Sequence, residues 1–255
     1  MQQKITFKDS IGTKLVGILS DPNPEEEKPV IICVHGFIIH KNNSTNTFLK
    51  ETFDIHNIAS FRIDLYGHGE SGGKFKEITI TKATDGILKA IELMKEKGYK
   101  KIGLIGSSFG GISSTIAASK TNDLFVLGLK CPVSNYKDKH LEQKSKEELK
   151  NWKEQGYISH KSSRPQDEEK LNYTFFEDYD ANDGYKAAEN IDIPVVIVHG
   201  AKDVDVPVKQ SKKISKIFKN CELHIMENAT HYFENEGEFE EMIKIISNFV
   251  IKHAK

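Results

Sequence analysis

The sequence has few of the residues that mark several specialised protein classes. Its 255 residues include only three cysteines, seven prolines and one tryptophan. The cysteines, Cys33, Cys131 and Cys221, lie in or beside apolar runs, which is typical of unpaired buried thiols and argues against a disulfide framework. The sequence also lacks an H-E-x-x-H motif and paired C-x-x-C motifs, so we expect neither a metal site nor another cofactor.

The sequence has no excess of charge of one sign. Lys and Arg total 36 against 37 for Asp and Glu, so no global field attracts nucleic acid or an anionic membrane. No apolar run approaches the ~20 residues that cross a bilayer, and the opening MQQKITFKDS has no apolar signal segment. We expect a soluble cytoplasmic protein, a monomer or homodimer, that binds neither nucleic acid nor membrane.

Eight short runs are typical of β-strands. They are KITFKD, KLVGILS, PVIICVHG, IASFRIDL, KKIGLIGS, LFVLGLKC, IPVVIVHG and CELHIME. The first two are mixed in polarity, whereas the later ones are nearly continuous apolar runs, as in strands covered on both faces. Helical patterns lie between them, such as residues 79–97 before Gly98. This alternation predicts a doubly wound α/β fold with an antiparallel start.

The regular alternation breaks between residues 133 and 190. This segment is charge-rich, with KSKEELKNWKEQ and RPQDEEK, and it interrupts two apolar strands. We expect an inserted cap over residues 133–190, with residues 1–132 and 191–255 forming the core. Trp152, Tyr157 and Phe176 are candidates for lining an aromatic substrate pocket. The alternative is that the aromatic residues of this segment form the cap's own small core.

The stretch GLIGSSFGGISSTIAAS, residues 103–119, places two serines between glycines. A phosphate-binding loop needs a lysine after its last glycine, where this chain has Ile112, and a dinucleotide fingerprint needs a different glycine spacing. What remains is the G-x-S-x-G elbow, which follows an apolar strand and precedes a helix-like run. The elbow predicts that Ser108 is a nucleophile held at the apex of a strained turn.

A serine hydroxyl is a weak nucleophile, so it needs a base and an acid on loops after later strands. Asp203 and Asp205 follow IPVVIVHG, and His231 follows CELHIME. His231 is therefore the predicted base. Asp203 comes sooner after its strand and is the favoured acid, while Asp205 is the alternative and could cap a helix beginning near Pro207.

Backbone amides are the predicted donors to the oxyanion that develops during acyl transfer. The loop after PVIICVHG offers the N–H of Phe37, and the elbow offers the N–H of Phe109. His35 and His199 each end an apolar run before a glycine, which is typical of a structural histidine. His68, between two glycines, is interpreted as a residue that orders its loop.

With Ser108, Asp203, His231 and the His35-Gly36 loop in this order, the chain resembles the α/β-hydrolase superfamily over nearly its whole length. RIDLYGHGESGGKF, together with HGF at 35 and GSSFGG at 106, is similar to the cinnamoyl and feruloyl esterase branch, which adjoins monoacylglycerol lipases and serine aminopeptidase-like hydrolases. The resemblance implies an eight-stranded, mostly parallel sheet, a small cap after the sixth strand, and cofactor-free ester hydrolysis. Many relatives have histidine before the nucleophile, where this chain has Ser107.

The sequence therefore predicts a serine hydrolase of small-molecule carboxylic esters, of feruloyl, cinnamoyl or other small aryl or alkyl type. Three alternatives stay open. A peptidase acting on N-terminal residues would need carboxylates for the substrate's α-amino group, and a monoacylglycerol lipase would need a broad apolar cap face. A binding scaffold would keep the fold without turnover, although such proteins typically lack a member of the triad.

Overall fold

The computed structural model describes residues 1–161 and 168–255. Residues 162–167, which fall within the predicted cap and the RPQDEEK run, lie outside the described residues. The strands are β1 (Gln2–Lys8), β2 (Lys14–Ser20), β3 (Val30–Val34), β4 (Ala59–Asp64), β5 (Ile102–Ser107), β6 (Leu124–Lys130), β7 (Tyr157–Lys161), β8 (Glu168–Asn172), β9 (Val195–Gly200) and β10 (Cys221–Met226).

The helices lie between the strands and, in the last case, after them. They are α1 (Ser44–Ile55), α2 (Ile80–Glu96), α3 (Phe109–Ala118), α4 (Tyr136–Gln143), α5 (Lys146–Gln155), α6 (Thr174–Glu177), α7 (Gly184–Ala188), α8 (Lys209–Ile214) and α9 (Glu238–Ala254). In the described ranges, none of these helices is long and apolar enough to cross a membrane.

Eight strands form the main sheet, in the order β1-β2-β4-β3-β5-β6-β9-β10. β1 pairs antiparallel with β2 and β2 antiparallel with β4, whereas every other pair is parallel. The eight runs predicted as strands all lie in this sheet, so the predicted doubly wound fold with an antiparallel start is confirmed. The strand order reverses at β3 and β5, and in such sheets ligands bind beyond the carboxyl ends of the strands at the reversal.

The central parallel strands, β3, β4, β5, β6 and β9, are buried on both faces because helices cover both sides of the sheet, whereas the edge strand β10 is partly exposed. Along β3, Val30, Ile32 and Val34 belong to one apolar cluster, and Ile31 and Cys33 to another. The first cluster includes the buried faces of α2 and α3, and the second includes those of α1 and α9. The two-residue period of a strand therefore divides one apolar run between two helical layers.

α2 shows how local sequence sets an element's ends. The side chain of Thr79 accepts a hydrogen bond from the backbone N–H of Lys82, which caps the helix, and Gly98 follows the last turn with φ of 91°. These are common helix-capping features, a hydroxyl at the N-cap and a left-handed glycine after the C-terminal turn. The observed helix, Ile80–Glu96, matches the predicted one to within a residue at each end.

The segment predicted as the cap joins β6 to β9 and contains α4, α5, the antiparallel pair β7 and β8, α6 and α7. The side chain of Trp152 is fully buried at its centre, and its indole N–H donates to the carbonyl of Leu171 at 3.1 Å. α7 packs against α3 and so extends the helical layer of the core. The rest of the insertion follows the carboxyl end of β6, beside the reversal of strand order.

Candidate active site

Ser108 joins β5 to α3 in a conformation that few residues adopt. Its φ and ψ are 52° and −114°, a sparsely populated region for a residue with a Cβ. A Cβ at Gly106 would lie 2.4 Å from the carbonyl oxygen of Gly110, and one at Gly110 would lie 2.4 Å from that of His35. Only glycine fits at these two positions, so the sequence permits the sharp turn that presents Ser108.

The predicted oxyanion donors lie on the two loops that meet at the strand reversal. Phe109 is the first residue of α3, where backbone N–H groups and the helix dipole favour negative charge. Phe37 follows β3 in the neighbouring loop, and a Cβ at Gly36 would lie 3.3 Å from the Cβ of Ser108. This close approach places the Phe37 loop beside the nucleophile, and the two residues' role as amide donors stays a prediction.

Two buried histidines hold the Phe37 loop in shape. The backbone N–H of Ile38, a residue with φ of 61°, donates to Nε2 of His68 at 3.2 Å, and Nδ1 of His68 lies 3.0 Å from the carbonyl oxygen of Tyr66. Nε2 of His35 accepts from the N–H of Leu65 at 3.1 Å. Both rings therefore accept at Nε2, as expected for neutral structural histidines.

A buried ion pair between Lys41 and Asp64 holds the end of the Phe37 loop that is farther from β3. Nζ of Lys41 lies 2.5 Å from Oδ2 of Asp64, and the Lys41 N–H donates to Oδ1 of that carboxylate at 2.7 Å. Lys41 and Asp64 are both buried, and Glu70 also binds the Lys41 ammonium at 2.6 Å. The N–H of Glu70 donates to Asp64 as well, so one carboxylate ties residues 36–43 to the loop after β4.

Asp203 and His231, predicted as the acid and the base, are in direct contact. Oδ2 of Asp203 lies 2.6 Å from Nδ1 of His231, and Oδ1 accepts the N–H groups of Asp205 and Val206 at 2.9 and 2.7 Å. Both side chains are almost fully buried. Burial alone would raise the pKa of the Asp203 carboxyl, but hydrogen bonds from His199 and His231 hold that pKa well below its usual range.

The alternative acid, Asp205, has a different environment. It lies on the cavity wall, and burial together with the Asp205 charge raises the pKa of the Tyr232 hydroxyl. It does not cap a helix, because the residue that precedes α8 is Val208 and no side chain caps that end. The structure therefore brings Asp203 into the short contact with His231, and places Asp205 beside it.

A buried lysine that the sequence reasoning missed supports the His231 loop. Lys130 ends β6, and its Nζ donates to the carbonyl oxygen of His231 at 2.9 Å and lies 5.2 Å from the centroid of the Phe233 ring. Burial lowers the pKa of its ammonium, and the Asp203 carboxylate partly offsets that effect. The available signal was a lysine closing the otherwise apolar strand LFVLGLK.

Ser108 and His231 both line a cavity of about 930 Å³ at the carboxyl edge of the sheet. One part of its wall comes from α1 and the start of α9, with Phe48 and Phe239 in edge-to-face contact. Another part comes from the inserted segment, including Tyr136 and Phe175. The cavity is large enough for a small-molecule substrate and lies directly over the proposed nucleophile.

The three residues predicted to line an aromatic pocket lie elsewhere. Trp152, Tyr157 and Phe176 do not belong to the described lining of the cavity. Trp152 is fully buried, and its ring lies edge-on to Phe176 with centroids 5.8 Å apart, while Tyr157 carries the ammonium of Lys170 4.3 Å above its ring. The amphipathic face of α5 places Trp152 in the insertion's own core, which supports the alternative for that residue, and a substrate-binding role of Tyr157 and Phe176 stays a prediction.

Within residues 1–161 and 168–255, two groups of side chains have the spacing of metal ligands, Cys131 with His199 and Asp203, and Asp203 with Asp205 and His231. In both groups, hydrogen bonds between the side chains and their neighbours explain why these residues lie close together. Burial raises the pKa of the Cys131 thiol to about 12, which keeps it protonated and a poor ligand. Each oxygen of Asp203 also accepts hydrogen bonds from neighbouring groups. The arrangement fits an acid–base pair better than a metal centre.

A nucleophile at an elbow, an acid–base pair and a fold of this topology invite comparison with known families. The model of the prolyl oligopeptidase family matches residues 51–255. The chain belongs to the prolyl oligopeptidase family. A search of the curated proteins found no match. The family match and the structural similarities below confirm the resemblance to α/β-hydrolases and support a serine hydrolase.

Solved structures share the fold of this family member over nearly its full length. Est1E from Butyrivibrio proteoclasticus, solved with ferulic acid bound, is 26% identical with a TM-score of 0.80, covering 98% of each chain. Mouse alpha/beta hydrolase domain-containing protein 10 is 18% identical with a TM-score of 0.82, covering 98% of this chain and 99% of its own. The Pyrococcus furiosus esterase Pf2001 is 17% identical with a TM-score of 0.75, covering 100% of this chain and 94% of its own.

Proposed function

We propose that the protein hydrolyses carboxylic esters of small molecules by two-step acyl transfer at Ser108. The observation that carries the proposal is the 2.6 Å contact between His231 and Asp203, with His231 and Ser108 lining one cavity. Because Nδ1 of His231 is occupied by Asp203, Nε2 is the ring nitrogen left to exchange a proton with the serine hydroxyl. These are the parts that a serine nucleophile requires.

In the first step, His231 removes the proton of Ser108 as the serine oxygen attacks the ester carbonyl. The tetrahedral intermediate collapses to an acyl-enzyme, and the alcohol leaves with the proton that His231 carried. Water, deprotonated by the same histidine, then attacks the acyl-enzyme and releases the carboxylic acid. The amides of Phe37 and Phe109 stabilise the oxyanion in both steps, and the ionised Asp203 stabilises the imidazolium.

The charges on the cavity wall favour an ester over a peptide with a free N-terminus. A peptidase of that kind needs carboxylates to bind the substrate's α-amino group. Among the described residues that line the cavity, Asp205 is the only acid, and two lysines, Lys130 and Lys139, lie on the same wall. A wall of this composition repels an ammonium group, so ester hydrolysis is the better-supported reaction despite the family's name.

We further propose that the ester substrate carries an aromatic group. Phe37, Tyr136 and Phe175 line the cavity, and neighbouring rings in this group lie 5.0 to 5.7 Å apart in tilted or edge-on contact. Such a wall suits a planar aryl group, since aromatic rings gain from edge-to-face contact beyond simple burial. Est1E, which binds ferulic acid, shares the fold at 26% identity. Feruloyl and cinnamoyl esters therefore belong in the first substrate panel.

Replacement of each of two adjacent serines tests the reaction. Ser108→Ala is expected to lower kcat on para-nitrophenyl butyrate by roughly 10⁴-fold or more and to abolish labelling by a fluorophosphonate probe. Ser107→Ala is the matched control, since Ser107 is the neighbouring buried serine on the same wall, and it should retain both. If Ser108→Ala kept wild-type turnover while folded, the nucleophile assignment would be wrong.

A further inference from the structure

One helix of the insertion presents two donor groups to the cavity that the proposed reaction does not use. α4 carries Tyr136 and Lys139, which are three residues apart and therefore neighbours on one helix face. Both residues line the cavity that Ser108 and His231 share. The ammonium of Lys139 lies 5.9 Å from the centroid of the Tyr136 ring. A donor pair of this kind needs a separate explanation, because ester hydrolysis requires neither group.

Lys139 is a partly buried cation whose contact with the Tyr136 ring leaves its hydrogen-bond donors unused by the described residues. Among the residues that the structure describes, its ammonium forms no hydrogen bond and no ion pair. The next lysine on the same helix, Lys137, is exposed and pairs with Asp180 at 2.6 Å. Burial lowers the pKa of the Lys139 ammonium, and the carboxylate of Asp205 partly offsets that effect. Because the side chain is only partly buried, its ammonium can donate to a group that enters the cavity.

Tyr136 is a second polar group in the same position. It is only 6% exposed, and burial raises the pKa of its hydroxyl. Within the described part of the chain, its contacts are with rings such as those of Phe109, Phe175 and Tyr179, and no hydrogen bond of its hydroxyl occurs. In the described part of the chain the hydroxyl is not an enclosed atom left without a partner, so it can donate to the acceptor of a ligand that enters the cavity.

We propose that Lys139 and Tyr136 bind a carboxylate carried by the ester substrate, at a distance from the scissile bond. The inference rests on the proposed ester hydrolysis at Ser108 and adds a substrate class to it, namely an ester with a free carboxylate on the part that faces α4. An ammonium and a hydroxyl supply two donors to the two oxygens of one carboxylate. That charge-assisted contact satisfies both side chains at once.

The nearby acid limits the ligand to a single negative charge. Asp205 lines the same cavity. A dianionic phosphate would therefore meet the Asp205 carboxylate as well as the Lys139 ammonium. A carboxylate is matched by Lys139 alone, and the remaining wall beside α4, formed by Val133, Leu171 and Phe175, suits an apolar spacer.

Paired substrates that differ in one charge test the proposal. The first pair, para-acetoxybenzoate and para-acetoxybenzamide, places the carboxylate or its neutral isostere on the leaving alcohol. The second pair, mono-para-nitrophenyl adipate and para-nitrophenyl adipamate, places it on the acyl part. The quantity measured is the ratio of kcat/KM for the acid to kcat/KM for the amide, which cancels differences in intrinsic reactivity when variants are compared.

For Lys139→Met we expect the ratio to fall about tenfold to a hundredfold in at least one pair, the range of a lost charge-assisted hydrogen bond. Lys139→Arg keeps the charge and is expected to retain most of the preference, and Tyr136→Phe is expected to lower it about fivefold. Lys137→Met, on the exposed face of the same helix, should keep the wild-type ratio. An unchanged ratio in Lys139→Met for both pairs overturns the proposal.

Folding of each variant is checked by its thermal melting curve. If Lys139→Met does not fold, the proposal is tested with the wild-type enzyme alone. The wild-type enzyme must then prefer the acid over the amide in at least one pair, and equal rates or a preference for the amide overturn the proposal. Failure of the underlying reaction looks different, because neither the amides nor the acids would be hydrolysed and the fluorophosphonate probe would not label Ser108.

Discussion

Oδ2 of Asp203 lies 2.6 Å from Nδ1 of His231, although 28 residues separate the two along the chain. Three further groups hold this carboxylate in place, the N–H groups of Asp205 and Val206 on Oδ1 and the ring of His199 on Oδ2 at 3.1 Å. An acid fixed in this way orients the imidazole and selects its tautomer without moving. The neighbouring carboxylate of Asp205 lacks this set of donors.

This difference makes the two aspartates a matched pair for mutagenesis. Asp203→Asn is expected to lower kcat about 10⁴-fold, since the amide no longer stabilises the imidazolium or fixes its tautomer. Asp205→Asn should lower it far less, because Asp203 and not Asp205 makes the short contact with Nδ1 of His231. Steady-state kinetics on para-nitrophenyl butyrate distinguishes them. Equal losses would show that both carboxylates support His231, and the reverse order would reassign the acid.

The glycines of the elbow are expected to be intolerant of any side chain. In Gly110→Ala the new Cβ would lie 2.4 Å from the carbonyl oxygen of His35, so we expect a loss of about 2–3 kcal/mol in the free energy of unfolding and a fall in kcat. Gly98→Ala, in open space with φ of 91°, costs about 1–2 kcal/mol and should leave kcat/KM unchanged. Urea unfolding and kinetics on both variants provide the check.

Local pattern was enough to predict the elements and the elbow, because their causes are local. A two-residue apolar period, a capping hydroxyl at Thr79 and a glycine after the last turn act within a few residues. The choice of Ser108 over Ser107 also followed from the spacing of the flanking glycines. For the same reason the loops carrying Asp203 and His231 could be identified from their positions after strands.

Contacts between segments that are distant in the sequence could not be predicted from local pattern. The bond from Lys130 to the carbonyl of His231 spans 101 residues, and no periodicity or motif indicates it. The indole N–H of Trp152 is bound to the carbonyl of Leu171, 19 residues further on in β8, and no local pattern indicates that partner. An aromatic residue in a charged helix indicates an apolar face, but which neighbour that face meets is decided by tertiary packing.

The ion pair below the Phe37 loop is expected to be important for stability. Lys41→Met leaves the fully buried Asp64 carboxylate without its cation, and we expect a loss of about 3–5 kcal/mol in the free energy of unfolding. Lys4→Met is the matched control, since Lys4 also pairs with Glu70 but is exposed, and should cost about 0–1 kcal/mol. Chemical denaturation of both variants measures the difference. Equal small losses would mean that Asp64 is satisfied by backbone donors alone.

Stability should fall on mild acidification because of the buried histidine His68. Burial lowers its pKa from 6.5 to about 4, which a hydrogen bond to the Tyr66 carbonyl only partly offsets. Between these values the unfolded chain binds a proton that the folded chain refuses, so stability is complete above about pH 6.5 and decreases as the pH approaches about 4. The loss is on the order of 3 kcal/mol.

His68→Gln is expected to flatten this pH dependence, measured as the free energy of unfolding in urea at a series of pH values. His56→Gln, at the exposed end of α1, should leave the slope unchanged. His35, whose pKa burial lowers to about 3, contributes in the same direction and remains in both variants. A slope that is the same in wild type and His68→Gln would show that folding does not lower the pKa of this ring.

Substitutions of Trp152 and Phe175 should have different effects, because Trp152 lies in the core of the insertion and Phe175 lies on the cavity wall. Trp152 is fully buried and hydrogen-bonded within the insertion, so Trp152→Ala should cost about 3–5 kcal/mol in stability and lower activity on methyl ferulate and para-nitrophenyl acetate by a common factor. Phe175 lines the cavity, so Phe175→Leu should change the ratio of the two activities. If Trp152→Ala lost turnover of methyl ferulate but kept turnover of the acetate ester, Trp152 would contact the substrate after all. The insertion would then have to open during catalysis.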